Sequence, residues 1–230
     1  MKIYTIQPVS IYNQLICEGI FHSQPLLDPD SNSFLAASED FKIPLAYGWI
    51  CEKMMTKGMK RPGNDIFPTW AYVHWWGSKH SKPDLRSSQI RSWAKDSRMV
   101  LMTLEVPAEE LLVFDYGFWI YCLSYSYIGT VKESEQFDRL CRKSGLSLWR
   151  DEPFPEPFHD ELLNSWEMVF DLEKSRKLRR LKKDNHDIQA TFWSLRKEYV
   201  VSAVEFGNGR RLVRIAGKDT RQAVTLNEEL

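Results

Sequence analysis

Short β-rich segments are spread over almost the whole chain, and this spacing constrains the fold more than any other feature. β-Branched and aromatic residues mark them at residues 2–6, 70–76, 99–106, 111–114, 188–194, 200–206 and 211–215. The last two flank Gly207-Asn208-Gly209-Arg210, which is typical of a hairpin because Asn-Gly adopts positive φ at little cost. The pattern predicts an α+β fold with small mixed or antiparallel sheets and flanking helices.

Helical periodicity fills the intervals between these strands. Gly19 supplies a stop for the first helix, and Pro44 is a favoured first-turn residue for the second. Asp115 is a predicted N-cap, because its short acceptor side chain satisfies the free N–H groups at a helix start. Helices are therefore expected at residues 9–17, 44–57, 115–127, 133–143 and from 158 to about 174, with loops at 23–40, 57–68 and 77–97.

Composition limits the domain count and the charge of the molecule. The chain has 230 residues, of which 43% are hydrophobic, enough for the core of one large domain. We find no internal repeat and no linker, so residues 1–216 are predicted to form a single domain and 217–230 a flexible tail. The formal net charge is zero, so any site for a polyanion must be a local patch.

Several function classes receive no support from the sequence. Four scattered cysteines without a CxxC pair predict reduced thiols in a cytoplasmic protein. The most apolar stretch, residues 114–128, is too polar and too short for a membrane span, which takes about 20 apolar residues. We see no glycine-rich phosphate loop, no GxSxG elbow and no metal-ligand spacing of histidines, so we expect no metal and no membrane partner.

The first candidate site is the aromatic segment at residues 70–76. Alternate residues of a strand share a face, so Trp70 and Tyr72, with His74 and Trp76, are expected to point one way. Such rings could stack on nicotinamide, adenine or an RNA base. For any single ring, a place in the core is the more common outcome.

Two charged segments are further candidates. Lys82 and Arg86, beside Pro83, could hold a diphosphate, unless Asp84 pairs locally with Arg86 in a solvated turn. Residues 174–183, here called the basic run, could contact RNA or DNA phosphates, or form a solvated helix face. Its seven cations are Lys174, Arg176, Lys177, Arg179, Arg180, Lys182 and Lys183.

Three carboxylates beside predicted strands are possible acid or base groups. They are Glu105, Asp115 and Glu198. Surface salt bridging or helix capping is the commoner role for such residues, and Asp115 fits a cap.

An ordered set of segments resembles the bacterial domain-of-unknown-function family 3841. The likeness covers most of residues 1–206 and carries no activity with it. Its segments are Tyr4-Thr5-Ile6-Gln7-Pro8, Tyr47-Gly48-Trp49 with Met54, Trp70-Ala71-Tyr72, Lys82-Pro83-Asp84-Leu85-Arg86, Leu104-Glu105-Val106-Pro107, Leu112-Val113-Phe114-Asp115, Trp119, Ser165-Trp166-Glu167 and Ile188-Gln189-Ala190-Thr191-Phe192.

The layout of these segments also resembles that of ADP-ribosyltransferases, most closely the branch of toxins that modify DNA and RNA. The resemblance implies a split β core that holds NAD in a cleft between two small sheets. By this likeness Thr5 or Gln7 is the first-strand polar group, and Gln189 (or Thr191) fills the late-strand position. Trp70 or Tyr72 would stack on the nicotinamide ring, and Arg86 would lie near the diphosphate. Lys82 and Trp119 are the other candidates for binding NAD.

The late strand departs from the pattern of those enzymes, because it has Gln189 where a Glu is usual. A Gln side chain can orient a hydroxyl group but cannot take a proton at neutral pH. Either the acceptor then needs little help from a base, or another carboxylate such as Glu105 serves, or the chain is not a transferase. The resemblance implies transfer of ADP-ribose from NAD to RNA, DNA or protein in a toxin or phage-defence role, with an antitoxin as possible partner. The alternative is a non-catalytic module that binds a nucleotide or a protein in the same cleft.

Overall fold

An antiparallel sheet of seven strands lies at the centre of the structure, a computed structural model that describes residues 1–24, 41–75, 81–182, 185–207 and 210–216, with backbone only for 93 and 210–212. The strands within these residues are β1 (Lys2–Pro8), β2 (Ile20–His22), β3 (Thr69–His74), β4 (Met99–Glu105), β5 (Leu112–Asp115), β6 (Ile188–Phe192), β7 (Ser194–Arg196), β8 (Val200–Gly207) and β9 (Arg210–Ala216).

The strand order puts the first strand in the middle of the large sheet. That order is β5-β6-β3-β1-β4-β8-β9, and β2 with β7 forms a separate two-stranded sheet. All these pairs are antiparallel. The predicted hairpin is present as β8 and β9, with Gly207 opposite Arg210. The α+β prediction is confirmed.

Helices begin and end where local capping chemistry allows. Gly19 ends the first helix in the left-handed conformation, with φ of 82°. Asp115 accepts a hydrogen bond from the backbone N–H of Phe118 at 2.9 Å, which is an N-cap. The helices are α1 (Val9–Glu18), α2 (Lys42–Thr56), α3 (Ser88–Trp93), α4 (Tyr116–Leu123), α5 (Val131–Lys143), α6 (Phe158–Ser165) and α7 (Leu172–Leu178), with 3-10 turns at Ala108–Glu110, Trp166–Phe170 and Lys197–Tyr199.

Three of the predicted boundaries are wrong. The loop predicted at 77–97 contains α3, whose N-cap Ser87 accepts from the N–H of Ile90. The helix predicted to reach 127 ends at Leu123, and Tyr125 has a positive φ of 51°. The helix predicted from 158 to about 174 breaks after Ser165. There the fully buried Trp166 turns into the core and donates from its indole to a backbone carbonyl at 2.9 Å, a tertiary contact that helical periodicity does not show.

The two faces of the large sheet are covered differently. On one face α1 packs Tyr12 and Leu15 against the strands. On the other face the core is divided into two clusters. One is formed by α3, which packs Ile90 against Tyr4 and its neighbours. The other surrounds α2 and α4, where Trp119 is buried. The predictions for residues 25–40, for Trp76 and for the tail 217–230 lie outside the described residues.

Replacing two glycines, one at the end of α1 and one inside α2, should change the free energy of unfolding in opposite directions. Gly19 needs a positive φ, whereas the exposed Gly48 lies inside α2 with ordinary helical backbone, and an added Cβ meets no atom within 4 Å at either position. We expect Gly19→Ala to lower the free energy of unfolding by about 1 kcal/mol, because alanine disfavours the left-handed conformation. We expect Gly48→Ala to raise it by about 0.5–1 kcal/mol. Urea denaturation measures both, and equal signs would contradict these boundaries.

Candidate functional site

The large sheet opens between its two central strands, β1 and β3. β1 is paired with β4 along its whole length, from Lys2 to Pro8. Within the described strands β1 shares one register position with β3, at Tyr4 opposite Tyr72. The sheet therefore consists of two halves, β5-β6-β3 and β1-β4-β8-β9, that meet over a short stretch.

A side-chain hydrogen bond bridges the two strands next to this position, and a second one supports it from within β1. The Thr5 hydroxyl donates to the backbone carbonyl of Trp70 at 2.9 Å. The Gln7 amide Nε2 then donates to Thr5 Oγ1, also at 2.9 Å. The Thr5 side chain extends beyond the backbone of β1 and so reaches the Trp70 carbonyl, which lies outside the register position that the two strands share. The strands can therefore diverge here without leaving that carbonyl unpaired. We call the opening bounded by Thr5, Gln7 and Trp70 the β1–β3 cleft.

A cavity of about 340 Å³ occupies the β1–β3 cleft. This volume lies at the lower end of the range of small-molecule sites. Four residues that the sequence singled out line it together: Gln7, Trp70, Tyr72 and Gln189. The apolar part of the wall includes Ile6, Ile11, Phe21 and Met99. Thr5 is buried behind this wall and holds it through the hydrogen bonds above.

Thr69 adds an unused polar group to the same wall. Its side chain is 3% exposed, and its Oγ1 is buried without a hydrogen-bond partner among the described residues. Leaving a buried hydroxyl unpaired costs about 1–3 kcal/mol, so such groups usually mark a ligand or a water. Sequence reasoning missed Thr69, because it lies one residue before the aromatic segment and nothing in the pattern shows its burial.

Tyr72 and Gln189 are direct neighbours across the β3–β6 ladder. Residues opposite each other in a ladder point to the same face, so the phenol and the amide lie side by side. Burial, followed by the charge of Asp187 and the presence of Tyr116, raises the pKa of Tyr72, so it remains a neutral phenol. The pair presents one aromatic ring and one amide group, and neither is charged near neutral pH.

Trp70 is held between the cleft and the core. Its ring lies 5.5 Å from that of Tyr47, 5.3 Å from Phe114 and 5.1 Å from Trp119, centroid to centroid. Trp119 is 2% exposed and does not line the cavity. Trp70 is thus the ring of this cluster that reaches the cleft, while Trp119 fixes it from behind.

The predicted diphosphate ligands lie apart from the cavity wall. The Arg86 side chain is 83% exposed, and its Nε is 3.0 Å from Oδ1 of Asp84, so the solvated turn is the arrangement present. Burial, together with repulsion from Arg214 and Lys2, lowers the pKa of Lys82. Neither Lys82 nor Arg86 lines the cavity.

Glu105 is also remote from the cavity. It is exposed at the end of β4, opposite Lys2. Glu198 is exposed too, and forms a long ion pair with Arg196 at 3.7 Å. The position of Glu105 makes it a poor source of a base for the cleft.

A buried polar cluster surrounds Asp115 at the end of β5. Asp115 is fully buried, and its Oδ2 lies 2.6 Å from His186 Nε2 and accepts from the Ser175 hydroxyl at 2.9 Å. Its Oδ1 accepts from Arg179 at 2.6 Å. Burial alone would raise the pKa of Asp115, but hydrogen bonds from His186 and the Phe118 N–H outweigh it and hold the pKa below its usual value. Asp115 is therefore a cap, as predicted, and also the centre of this cluster.

Asp187 is the functional candidate that sequence reasoning missed most clearly. It lies two residues before Gln189, and its Oδ1 is buried without a hydrogen-bond partner among the described residues. Burial, and then the charge of Asp115, raise the pKa of Asp187 from 3.8 to about 7. Perturbed carboxyl groups of this kind cluster at functional sites. No motif marks Asp187, which follows the basic run in a polar stretch.

The basic run is divided between the Asp115 cluster and the solvent. Arg179 binds Asp115, and Lys177 pairs with Glu173 at 2.6 Å. Arg176 lies against the carbonyl of Leu181 at 3.4 Å. The exposed members are Lys174, Lys177, Arg180 and Lys182, while Lys183 lies outside the described residues. The run thus offers several solvated cations, and Arg179 connects it to the polar cluster beside β6.

The described part of the chain offers few candidates for a metal site, a disulfide or a membrane span. No group of three or more His, Cys, Asp or Glu residues there is placed to hold a metal ion. All four cysteines are free thiols, and three of them are buried. None of the helices in the described ranges combines the length and the apolar character that a membrane span needs.

The fold and the site define an α+β protein with a cleft in a split antiparallel sheet. The profile of the domain of unknown function DUF3841 matches residues 2–201 of the chain. The protein belongs to this family. The search of curated proteins found no match, and neither did the search of solved structures.

The pKa of Asp187 predicts an unusual dependence of stability on pH. Because the folded-state pKa lies above that of the unfolded chain, the folded state binds more protons between about pH 4 and 7, and stability falls as the pH rises. We expect Asp187→Asn to raise the free energy of unfolding by about 1–3 kcal/mol at pH 8 and to change it little at pH 4. Urea unfolding at both pH values measures this. The exposed Asp151→Asn is the control, and a pH-independent effect of Asp187→Asn would contradict the assignment.

Proposed function

We propose that the protein is an ADP-ribosyltransferase-like enzyme that transfers ADP-ribose from NAD to a macromolecular acceptor. The observation that carries this proposal is the β1–β3 cleft. A first-strand amide (Gln7), two aromatic residues (Trp70 and Tyr72) and a late-strand amide (Gln189) line one cavity in a split sheet. These residues come from three separate strands, so their meeting is not a consequence of local sequence.

The groups of the cleft suit a reaction governed by positioning. Trp70 and Tyr72 supply aromatic surface against which a flat nicotinamide ring can stack. Gln189 and the unpaired hydroxyl of Thr69 are neutral hydrogen-bonding groups that can hold ribose hydroxyls. Cleavage of the nicotinamide–ribose bond sends its electron pair to nicotinamide and leaves an oxocarbenium-like ribose. A fixed site lowers that barrier through orientation and electrostatic support.

A proton must leave the acceptor when its oxygen or nitrogen bonds to the ribose carbon. Gln189 cannot take that proton, because an amide is not a base at neutral pH. We propose that Asp187 takes it. Its pKa of about 7 leaves a substantial fraction ionised at neutral pH, and its charge acts on Tyr72 at the cavity wall.

A nucleic acid is the acceptor that we propose. The exposed cations of the basic run lie on and after α7, and Arg179 joins them to the cluster around Asp115, beside Asp187. Phosphates bound along this run would bring a strand toward β6, with an affinity that falls with salt. A cytoplasmic toxin or phage-defence enzyme, with an antitoxin that controls it, would fit such an activity.

Transfer of label from NAD tests the proposal directly. The protein is incubated with NAD labelled in its adenylate part and, separately, with total cell RNA, DNA and protein. We expect label on nucleic acid, a loss of at least tenfold in Gln189→Ala, and little change in Gln14→Ala, an exposed glutamine on α1. No label on any acceptor, together with no NAD binding by calorimetry, would reject the proposal.

A second function is favoured by the amide at position 189. If the cleft lacks an effective base, the protein is a non-catalytic module that binds a nucleotide or a protein there. Calorimetry with NAD separates this case, because binding without transfer or hydrolysis would support it. In either case we expect Trp70→Ala to weaken NAD binding at least tenfold. Arg86→Ala should leave the affinity within about twofold, since Arg86 is exposed and apart from the cavity wall.

A further inference from the structure

A second cavity, of about 550 Å³, lies beside β7 and has a basic wall. We call it the β7 cavity. It is enclosed by the turn that follows α2, by the 3-10 turn Ala108–Glu110 and by β7 itself. Its cationic side chains are Lys57, Lys60, Arg61 and Arg196, and its acidic ones are Glu109 and Glu110. No residue of its wall belongs to the β1–β3 cleft.

Arg61 is held in a fixed position at this cavity. Its Nε donates to the carbonyl of Ile66 at 2.8 Å. Its guanidinium carbon lies 5.5 Å from the ring centre of Phe67 and 5.4 Å from that of Trp193, within the range of cation–π contacts. The Trp193 indole in turn donates to the carbonyl of Met59 at 3.2 Å and fastens the turn. A guanidinium that is already ordered loses little entropy when it binds an anion.

Arg196 brings an unpaired donor to the same wall. Its Nε is buried and has no hydrogen-bond partner among the described residues. Its ion pair with Glu198 is long, at 3.7 Å, and involves the terminal nitrogen Nη1 instead. An unpaired buried N–H of a charged group is costly, and an anionic oxygen is the acceptor that satisfies it best.

The acidic residues of the wall leave the cations in excess. Glu110 accepts the Tyr199 hydroxyl with both oxygens at 2.9 Å, so this carboxylate is engaged at the rim. Glu109 is exposed. Lys57 donates to the backbone carbonyl of Leu111 at 2.6 Å and has no carboxylate partner in that bond, and Lys60 is exposed.

We propose that the β7 cavity binds a phosphate-bearing ligand through its phosphoryl oxygens, with Arg196, Arg61 and Lys60 as the binding groups. The planar forks of two arginines match phosphate geometry, and the lysine adds a point charge. This site is separate from the cleft proposed for NAD. The phosphate belongs either to a nucleic acid strand or to a small nucleotide, and the same cations recognise both.

Calorimetry with inorganic pyrophosphate tests this proposal, followed by competition with ADP and with a single-stranded RNA 12-mer. We expect Lys60→Glu and Arg196→Gln each to weaken pyrophosphate binding at least tenfold. The control is Lys143→Glu, which makes the same charge change at an exposed position on α5 and should stay within about twofold. Competition by the RNA assigns the site to a nucleic acid strand, and competition by ADP alone assigns it to a small nucleotide.

The outcome is independent of the proposed enzyme activity. Gln189→Ala should keep pyrophosphate binding at the β7 cavity, and Lys60→Glu should keep NAD binding at the cleft. Circular dichroism checks that both β7-cavity variants fold, and Lys60 is exposed enough for its substitution to be tolerated. No binding of any of the three probes, or equal binding by wild type, Lys60→Glu and Arg196→Gln, would overturn the proposal.

Discussion

The unequal pairing of β1 with its two neighbours is the constraint on which the site depends. A fully paired strand in the middle of a sheet leaves no room for a ligand, because its backbone groups are used on both sides. Here β1 is fully paired with β4 but meets β3 at Tyr4 and Tyr72. The Thr5 hydroxyl bridges the two strands next to that position, and the Gln7 amide donates to this hydroxyl from the same strand. On the face opposite α1, the core cluster around Ile90 packs on β1 and also includes Trp75, directly after β3, so it spans the two halves.

Those parts of the fold that local chemistry determines could be predicted from the sequence. The left-handed stop at Gly19, the cap at Asp115 and the hairpin between β8 and β9 each depend on a few adjacent residues. The break after Ser165 depends instead on where the indole of Trp166 finds a hydrogen-bond acceptor, and that acceptor is 40 residues away in the sequence. Periodicity cannot show such a contact, so the helix was predicted too long.

The candidate site likewise has a part that could be predicted from the sequence and a part that depends on the folded chain. The sequence could identify four residues of the cavity wall, because their side chains suit a ligand and they lie in segments predicted to be strands. They are Gln7, Trp70, Tyr72 and Gln189. The pKa of Asp187 could not be predicted, because it comes from burial and from a neighbouring charge that only the folded chain brings close. The sequence also cannot show which charged side chains stay in solvent. Arg86 has the right chemistry to bind a phosphate, but it is exposed and does not line the cavity.

In the reaction that we propose, the site would separate two tasks that a single glutamate would combine: holding the ribose and accepting a proton. Gln189 keeps the same hydrogen-bonding groups at every physiological pH, so it can hold a ribose hydroxyl without regard to protonation. Asp187 changes charge near pH 7, and Tyr72 lies within its electrostatic reach. Arg179 lowers the pKa of Asp187 and also binds Asp115. Under the proposed function, a polyanion that drew Arg179 away would therefore raise the pKa of Asp187, and the charge of Asp187 would respond to what binds the basic run.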